Sequence, residues 1–115
     1  MSEVRCVFRR KRMNKRMVAM LTEVEKLTKI TLTFSQGSYN KGVAASAGTH
    51  DGGGAVDIDI AHLNKTQRPA VLRALRKVGF AAWLRTPTQG KWPHHMHAIA
   101  IGDQDLSRGA AYQVA

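Results

Sequence analysis

Four of the five histidines lie in two short segments, His50-Asp51-Gly52-Gly53-Gly54-Ala55-Val56-Asp57 and Trp92-Pro93-His94-His95-Met96-His97. Imidazole and carboxylate groups can hold a catalytic zinc ion. Such an ion takes three protein ligands and leaves its fourth position to a water whose pKa falls to about 7. The single cysteine, Cys6, excludes an internal disulfide and a cysteine-rich zinc cluster, so any metal must be held by histidine and carboxylate. His50, Asp57 and one histidine of the second segment would supply the set. The step from His50 to Asp57 is not a helical pair, because Gly52, Gly53 and Gly54 disfavour a helix and allow a tight loop that brings the two ligands together. In the second segment a strand puts alternate residues on one side. His95 and His97 then share a face, while His94 points away or stands at the strand's entrance.

The elements that must position these residues follow from periodicity. Asn14 is a reasonable N-cap, and Met17, Val18, Met20, Leu21, Val24 and Leu27 recur at helical spacing, which predicts a helix over 14–29. The β-branched, alternating run 30–34 predicts a strand, and Val56-Asp57-Ile58-Asp59-Ile60 a second, with Asp57 and Asp59 on the face opposite the aliphatic residues. Thr66 as N-cap, the stripe Val71, Leu72, Leu75, Val78 and the stop at Gly79 predict a helix over 66–78. Strands over 80–84 and 96–101 follow, joined by the hairpin-like Thr86-Pro87-Thr88-Gln89-Gly90-Lys91-Trp92-Pro93, with Trp92 expected beneath the site. The order αββαββ implies an α+β fold, a small antiparallel sheet with helices packed on one side.

The first histidine segment resembles the HxxGxAxD element of the D-Ala-D-Ala carboxypeptidase and L-Ala-D-Glu peptidase family of zinc enzymes: His50, Gly53, Ala55 and Asp57 match. Trp92 followed by His95-Met96-His97 is similar to the family's second element, in the HxH form of the wider lysostaphin and hedgehog-related peptidases. The resemblance runs from about Gln36 to Ile101, and phage endolysins are the kind of relative it suggests. It implies a hedgehog/DD-peptidase-like fold, zinc as cofactor, and His50, Asp57 and His97 as its ligands. The strand argument leaves His95 facing the metal, as general acid/base or as a stabiliser of the tetrahedral oxyanion. Many members carry an acid as base three residues before the last ligand, and that position is His94 here, so the base is His94 or His95. An unperturbed imidazole pKa near 6.5 suits either. Gly48 stands where members often carry Ser. Ser46, Tyr39 and Ser38 are the candidates for contact with a substrate carboxylate.

The 115 residues suit one domain, expected to be a catalytic domain over 1–115 with a basic N-terminal arm over about 1–16. The net charge is +10, and seven of the 18 basic residues (Arg5, Arg9, Arg10, Lys11, Arg12, Lys15, Arg16) precede residue 17. Such an excess calls for an anionic partner. Peptidoglycan stem peptides and anionic cell-wall polymers fit the histidines as well as the charge. The expected activity is hydrolysis of stem peptides or cross-links by a monomer, made in the cytoplasm without a secretory signal and acting on the wall after release. No run approaches the roughly 20 apolar residues of a membrane span. Two rival readings remain: a nucleic-acid-binding protein built on the arm, whose one aromatic residue is Phe8, and an inactive zinc-containing wall-binding domain.

Overall fold

In the computed structural model, which describes residues 2–40, 48–86 and 94–114, the basic arm is a β-hairpin. Strand β1 (Arg5–Phe8) pairs antiparallel with β2 (Lys11–Asn14), and the two-residue turn holds Arg9 and Arg10 at φ 48° and 69°. Both angles positive is the geometry of the tightest hairpin turns, normally built from Asn and Gly. Two arginines give no turn signal, which is why the sequence reads only as a basic arm. Arg9 offsets the unfavourable backbone by an ion pair with Glu25 and a 3.0 Å hydrogen bond to the Leu32 carbonyl. Cys6 and Phe8 turn inward, and Phe8 meets Phe34 with ring centroids 6.0 Å apart.

Helix α1 (Lys15–Thr28) starts where Asn14 accepts the Met17 N–H at 2.9 Å and stops at Lys29 in the left-handed region, φ 58°. The strand expected over 30–34 forms later, as β3 (Thr33–Gln36). Residues just before it are taken by side chains instead: the Leu32 N–H donates to Glu25 and its carbonyl accepts from Arg9. Strand β4 (Ala55–Asp59) and helix α2 (Gln67–Val78) lie within a residue of expectation. Thr66 stands at the N-cap position of α2 as expected, but its side chain makes no capping bond, and Asn64 supplies one instead. Asn64 Oδ1 accepts from the N–H groups of Thr66 and Gln67 at 2.9 and 2.8 Å, and Gln67 reaches back to the Asn64 N–H at 2.9 Å. This is a capping box with amides in both places.

Strands β5 (Phe80–Arg85) and β6 (His95–Ala100) complete a four-stranded antiparallel sheet of order β3-β4-β6-β5. Val56, Ile58, Phe80, Met96 and Ala98 line one face against Met17, Leu21 and Val24 of α1 and Val71 and Leu75 of α2. Each large side chain fully buried there contributes about 1.5–3 kcal/mol. The opposite face carries Ala55, Ile99 and Trp83, and a third helix, α3 (Arg108–Val114), packs on it through Ala110 and Val114. Helices therefore cover both faces, not one. Helix α3 has no apolar stripe long enough to announce it. Most of the connection between β5 and β6 lies outside the described residues, as do Ser46 and Trp92.

The three glycines are there for the C-terminal segment as much as for the ligands. A Cβ on Gly52 would stand 2.2 Å from the Asp105 carbonyl oxygen, and one on Gly53 2.6 Å from the Tyr39 hydroxyl. The Gly53 N–H donates to the Asp105 carbonyl at 2.8 Å. Gly52→Ala should therefore lower stability by at least ~2 kcal/mol, since backbone rather than a flexible side chain must give way. Denaturant unfolding of the variant, with a midpoint unchanged from that of the parent protein, would show that residues 103–107 do not dock there.

Candidate metal centre

Antiparallel register places Asp57 of β4 directly opposite His97 of β6, and His97 opposite Trp83 of β5. The next row holds Asp59, His95 and Arg85. Both rows lie on the face away from α1 and α2, on the two central strands and their neighbour. His50 arrives from the loop before β4, fully buried. The His50 and His97 rings meet edge to face at 5.3 Å, and Trp83 stacks on His97 at 5.6 Å. Trp83 thus supports the ring of His97, while Trp92, expected beneath the site, lies outside the described residues.

The hydrogen bonds fix the rings. His50 Nδ1 donates to the Gly37 carbonyl at 2.7 Å, and His97 Nε2 donates to Gln113 Oε1 at 2.8 Å. Each acceptor is a carbonyl oxygen, so each outer nitrogen carries the proton. In a neutral ring the other nitrogen is then a lone pair. Those two nitrogens, His50 Nε2 and His97 Nδ1, stand 3.2 and 2.9 Å from the same atom, Asp57 Oδ1. His50 Nε2 is buried without a hydrogen-bond partner. Two lone pairs and a carboxylate oxygen repel one another unless positive charge lies among them, as a proton on each ring or one metal ion. Burial alone pushes the Asp57 carboxyl up, yet the imidazoles beside it hold it well below the ordinary carboxylate range, which expresses the same demand for positive charge. His50, Asp57 and His97 form a group that could hold a metal ion, with outer nitrogens bonded to carbonyl groups as metal-bound histidines usually are.

His95 is buried on the same face with Nε2 3.7 Å from Asp57 Oδ1. His94 is exposed ahead of β6, and among the described residues it makes no hydrogen bond or ion pair with the group. Asp59 accepts the Ala61 N–H at 3.0 Å and so closes the turn after its strand.

Two residues expected to touch substrate are occupied elsewhere. Ser38 is fully buried, and its hydroxyl donates to the Ala55 carbonyl at 2.8 Å. Tyr39, at φ 53°, donates its hydroxyl to Asp105 at 2.6 Å, within a network where Asn14 Nδ2 donates to Asp103 at 2.7 Å. Both side chains tie the loop before the site to the rest of the fold. Burial, then the bond to Asp105, pushes the Tyr39 hydroxyl up to about 12. Ser46 lies outside the described residues. Sequence reading missed Gly37, Trp83 and Gln113, because a backbone carbonyl, a strand residue and an amide on an unannounced helix carry no ligand signature. Trp83 alone had a signal, since it alternates in step with the histidine strand.

No family model, no curated protein and no solved structure matches the chain.

Removing the amide that holds His97, by Gln113→Ala, should weaken divalent-metal affinity by ~10–100-fold, read by chelator competition. Unchanged affinity would show that Gln113 does not orient the ring. Tyr39→Phe should cost about 1–3 kcal/mol at neutral pH. Because the folded hydroxyl titrates above its unfolded value of 10, this advantage of the parent protein is complete below pH 10 and disappears as pH rises to about 12. Parallel stability curves across that interval would remove Tyr39 from the network.

Proposed function

We propose that the chain is a zinc-dependent peptidase that hydrolyses amide bonds in peptidoglycan stem peptides or cross-links. One observation carries the reading: two imidazoles, each held from behind by a carbonyl, present their inner nitrogens to one carboxylate oxygen. Their spacings of 2.9 and 3.2 Å are close to the edge of about 3.3 Å that tetrahedral zinc with bonds of 2.0–2.1 Å requires. Two nitrogens and one oxygen leave a position open, as hydrolytic zinc sites do. Bound zinc supplies Lewis acidity and a water acidic enough to attack an amide at neutral pH.

The chain's own residues supply the remainder. Gly37 and Gln113 keep the two rings in the ligating tautomer, and Trp83 holds the plane of His97. We assign proton transfer to His95 Nε2, a choice supported by its burial next to Asp57 on the same face, with exposed His94 as the alternative base. The wall as substrate is supported by the resemblance of both histidine segments and by the net charge of +10. Nucleic-acid binding by the arm is less well supported, because Arg5 stacks over Tyr39, Arg9 pairs with Glu25 and Arg16 bonds the Ile101 carbonyl.

Metal analysis should find one zinc per chain, and zinc at 100 times its dissociation constant should add about 2.7 kcal/mol of stability. His97→Ala should lose both zinc and hydrolysis of purified muropeptides. His95→Ala should keep zinc and lose ~10²–10⁴ in turnover, with His94→Ala near normal. Mass spectrometry of the products identifies the bond. A protein that takes up no zinc, or a zinc-loaded protein that leaves muropeptides intact, overturns the reading; the second result leaves a wall-binding domain.

A further inference from the structure

Six of the seven cations of the N-terminal segment divide by contact, the seventh being Lys15 on the surface of α1. Arg5, Arg9 and Arg16 have partners inside the fold. Arg10, Lys11 and Arg12 instead line a cavity of about 210 Å³ between the hairpin and the edge strand β3, with Gln36, Gly37 and Asn40 on its other side. Among the described residues no acidic side chain lines it. Among the described residues these three side chains have no carboxylate partner, and the buried amide nitrogen of Gln36 in the cavity wall has no acceptor. Among the described lining residues the wall thus carries three positive charges and no negative one. Its backbone is also tightly built. A Cβ on Gly37 would stand 2.5 Å from the Arg12 carbonyl oxygen, and the Ser38 N–H donates to that carbonyl at 2.7 Å, so the hairpin is docked rather than loosely tethered.

We infer that this cavity is an oxyanion-binding site, taking a carboxylate or phosphate group carried by the anionic polymer on which the chain acts. Arg and Lys side chains that line one cavity without an acidic neighbour among the described residues recognise such groups. Gly37 lines the cavity and also receives the His50 Nδ1–H, and the Asn40 N–H donates to the His50 carbonyl at 2.7 Å. An anion held there is seated against the segment that orients His50, beside the metal centre. The naming of the polymer rests on the proposed function; the site itself does not.

The test is a nitrogen–proton NMR titration of the full chain with inorganic phosphate and, separately, with acetate, at constant ionic strength. Saturable shifts are expected in the amides of residues 10–12 and 35–40. Arg10→Gln/Lys11→Gln/Arg12→Gln should weaken binding roughly tenfold or more, whereas removing the same charge at Lys26, Lys65 and Lys77 by Gln should leave it within about twofold. If the triple variant disturbs the hairpin, Lys11→Gln/Arg12→Gln keeps the turn and carries the comparison. Preference for phosphate points to phosphate-bearing wall polymers, and preference for acetate to stem-peptide carboxylates; each supports the site. Shifts that do not saturate, or equal weakening by both triple variants, overturn it by showing diffuse charge alone. The same titration on His97→Ala needs neither zinc nor hydrolysis, so the outcome stands or falls apart from the peptidase reading.

Discussion

The structure turns on a repulsion that it maintains on purpose of its hydrogen bonds. Two imidazole nitrogens are held 3.2 and 2.9 Å from one carboxylate oxygen, and the three groups offer ligand atoms within 4.8 Å of one another, although none of the three carries a proton when the rings are neutral. Left to themselves, the rings would rotate and the carboxylate would turn to water. They are prevented by the Gly37 carbonyl, the Gln113 amide, the Trp83 ring and the rigid pairing of the two central strands. A site that keeps its lone pairs convergent is preorganised for a cation, because the work of gathering ligands is done by folding.

That requirement explains why distant parts of the chain meet. The loop 48–54 must return His50 to the sheet, and it does so under the C-terminal segment, which needs the bare backbones of Gly52 and Gly53. Asn14 both caps α1 and donates to Asp103, so the start of the first helix is tied to the segment that leads into α3. Tyr39 and Asp105 close the same network. Burial pushes the Asp103 carboxyl up despite its hydrogen bond from Asn14, a sign that this network is enclosed rather than solvated.

Charge is divided with similar economy. Part of the N-terminal excess is consumed in holding the hairpin to α1 and to the C-terminal half, while Arg10, Lys11 and Arg12 along β2 and its turn line the cavity proposed for an external anion. The pairing of Arg9 with Glu25 also means that neutralising the whole arm would disturb the fold as well as any binding. Long-range attraction and local structure are carried by different arginines of one short segment.

Residue types and spacing alone reveal the two main helices, strands β4, β5 and β6 to within a residue, and the sharing of one strand face by His95 and His97 and of another by Asp57 and Asp59. Period 2 and period 3.6 are local properties, and side-chain facing follows from them without knowledge of partners. They reveal neither hairpin nor third helix, since a turn of two arginines and a seven-residue helix hold only through contacts made elsewhere. Only the tertiary structure decided that β4 lies beside β6 with Asp57 opposite His97, that His95 rather than His94 sits next to the carboxylate, and that Ser38 and Tyr39 turn inward. Strand order and ring tautomer depend on groups far apart in the chain, such as Gly37, Trp83 and Gln113, and nothing in the types of those residues records whom they will meet.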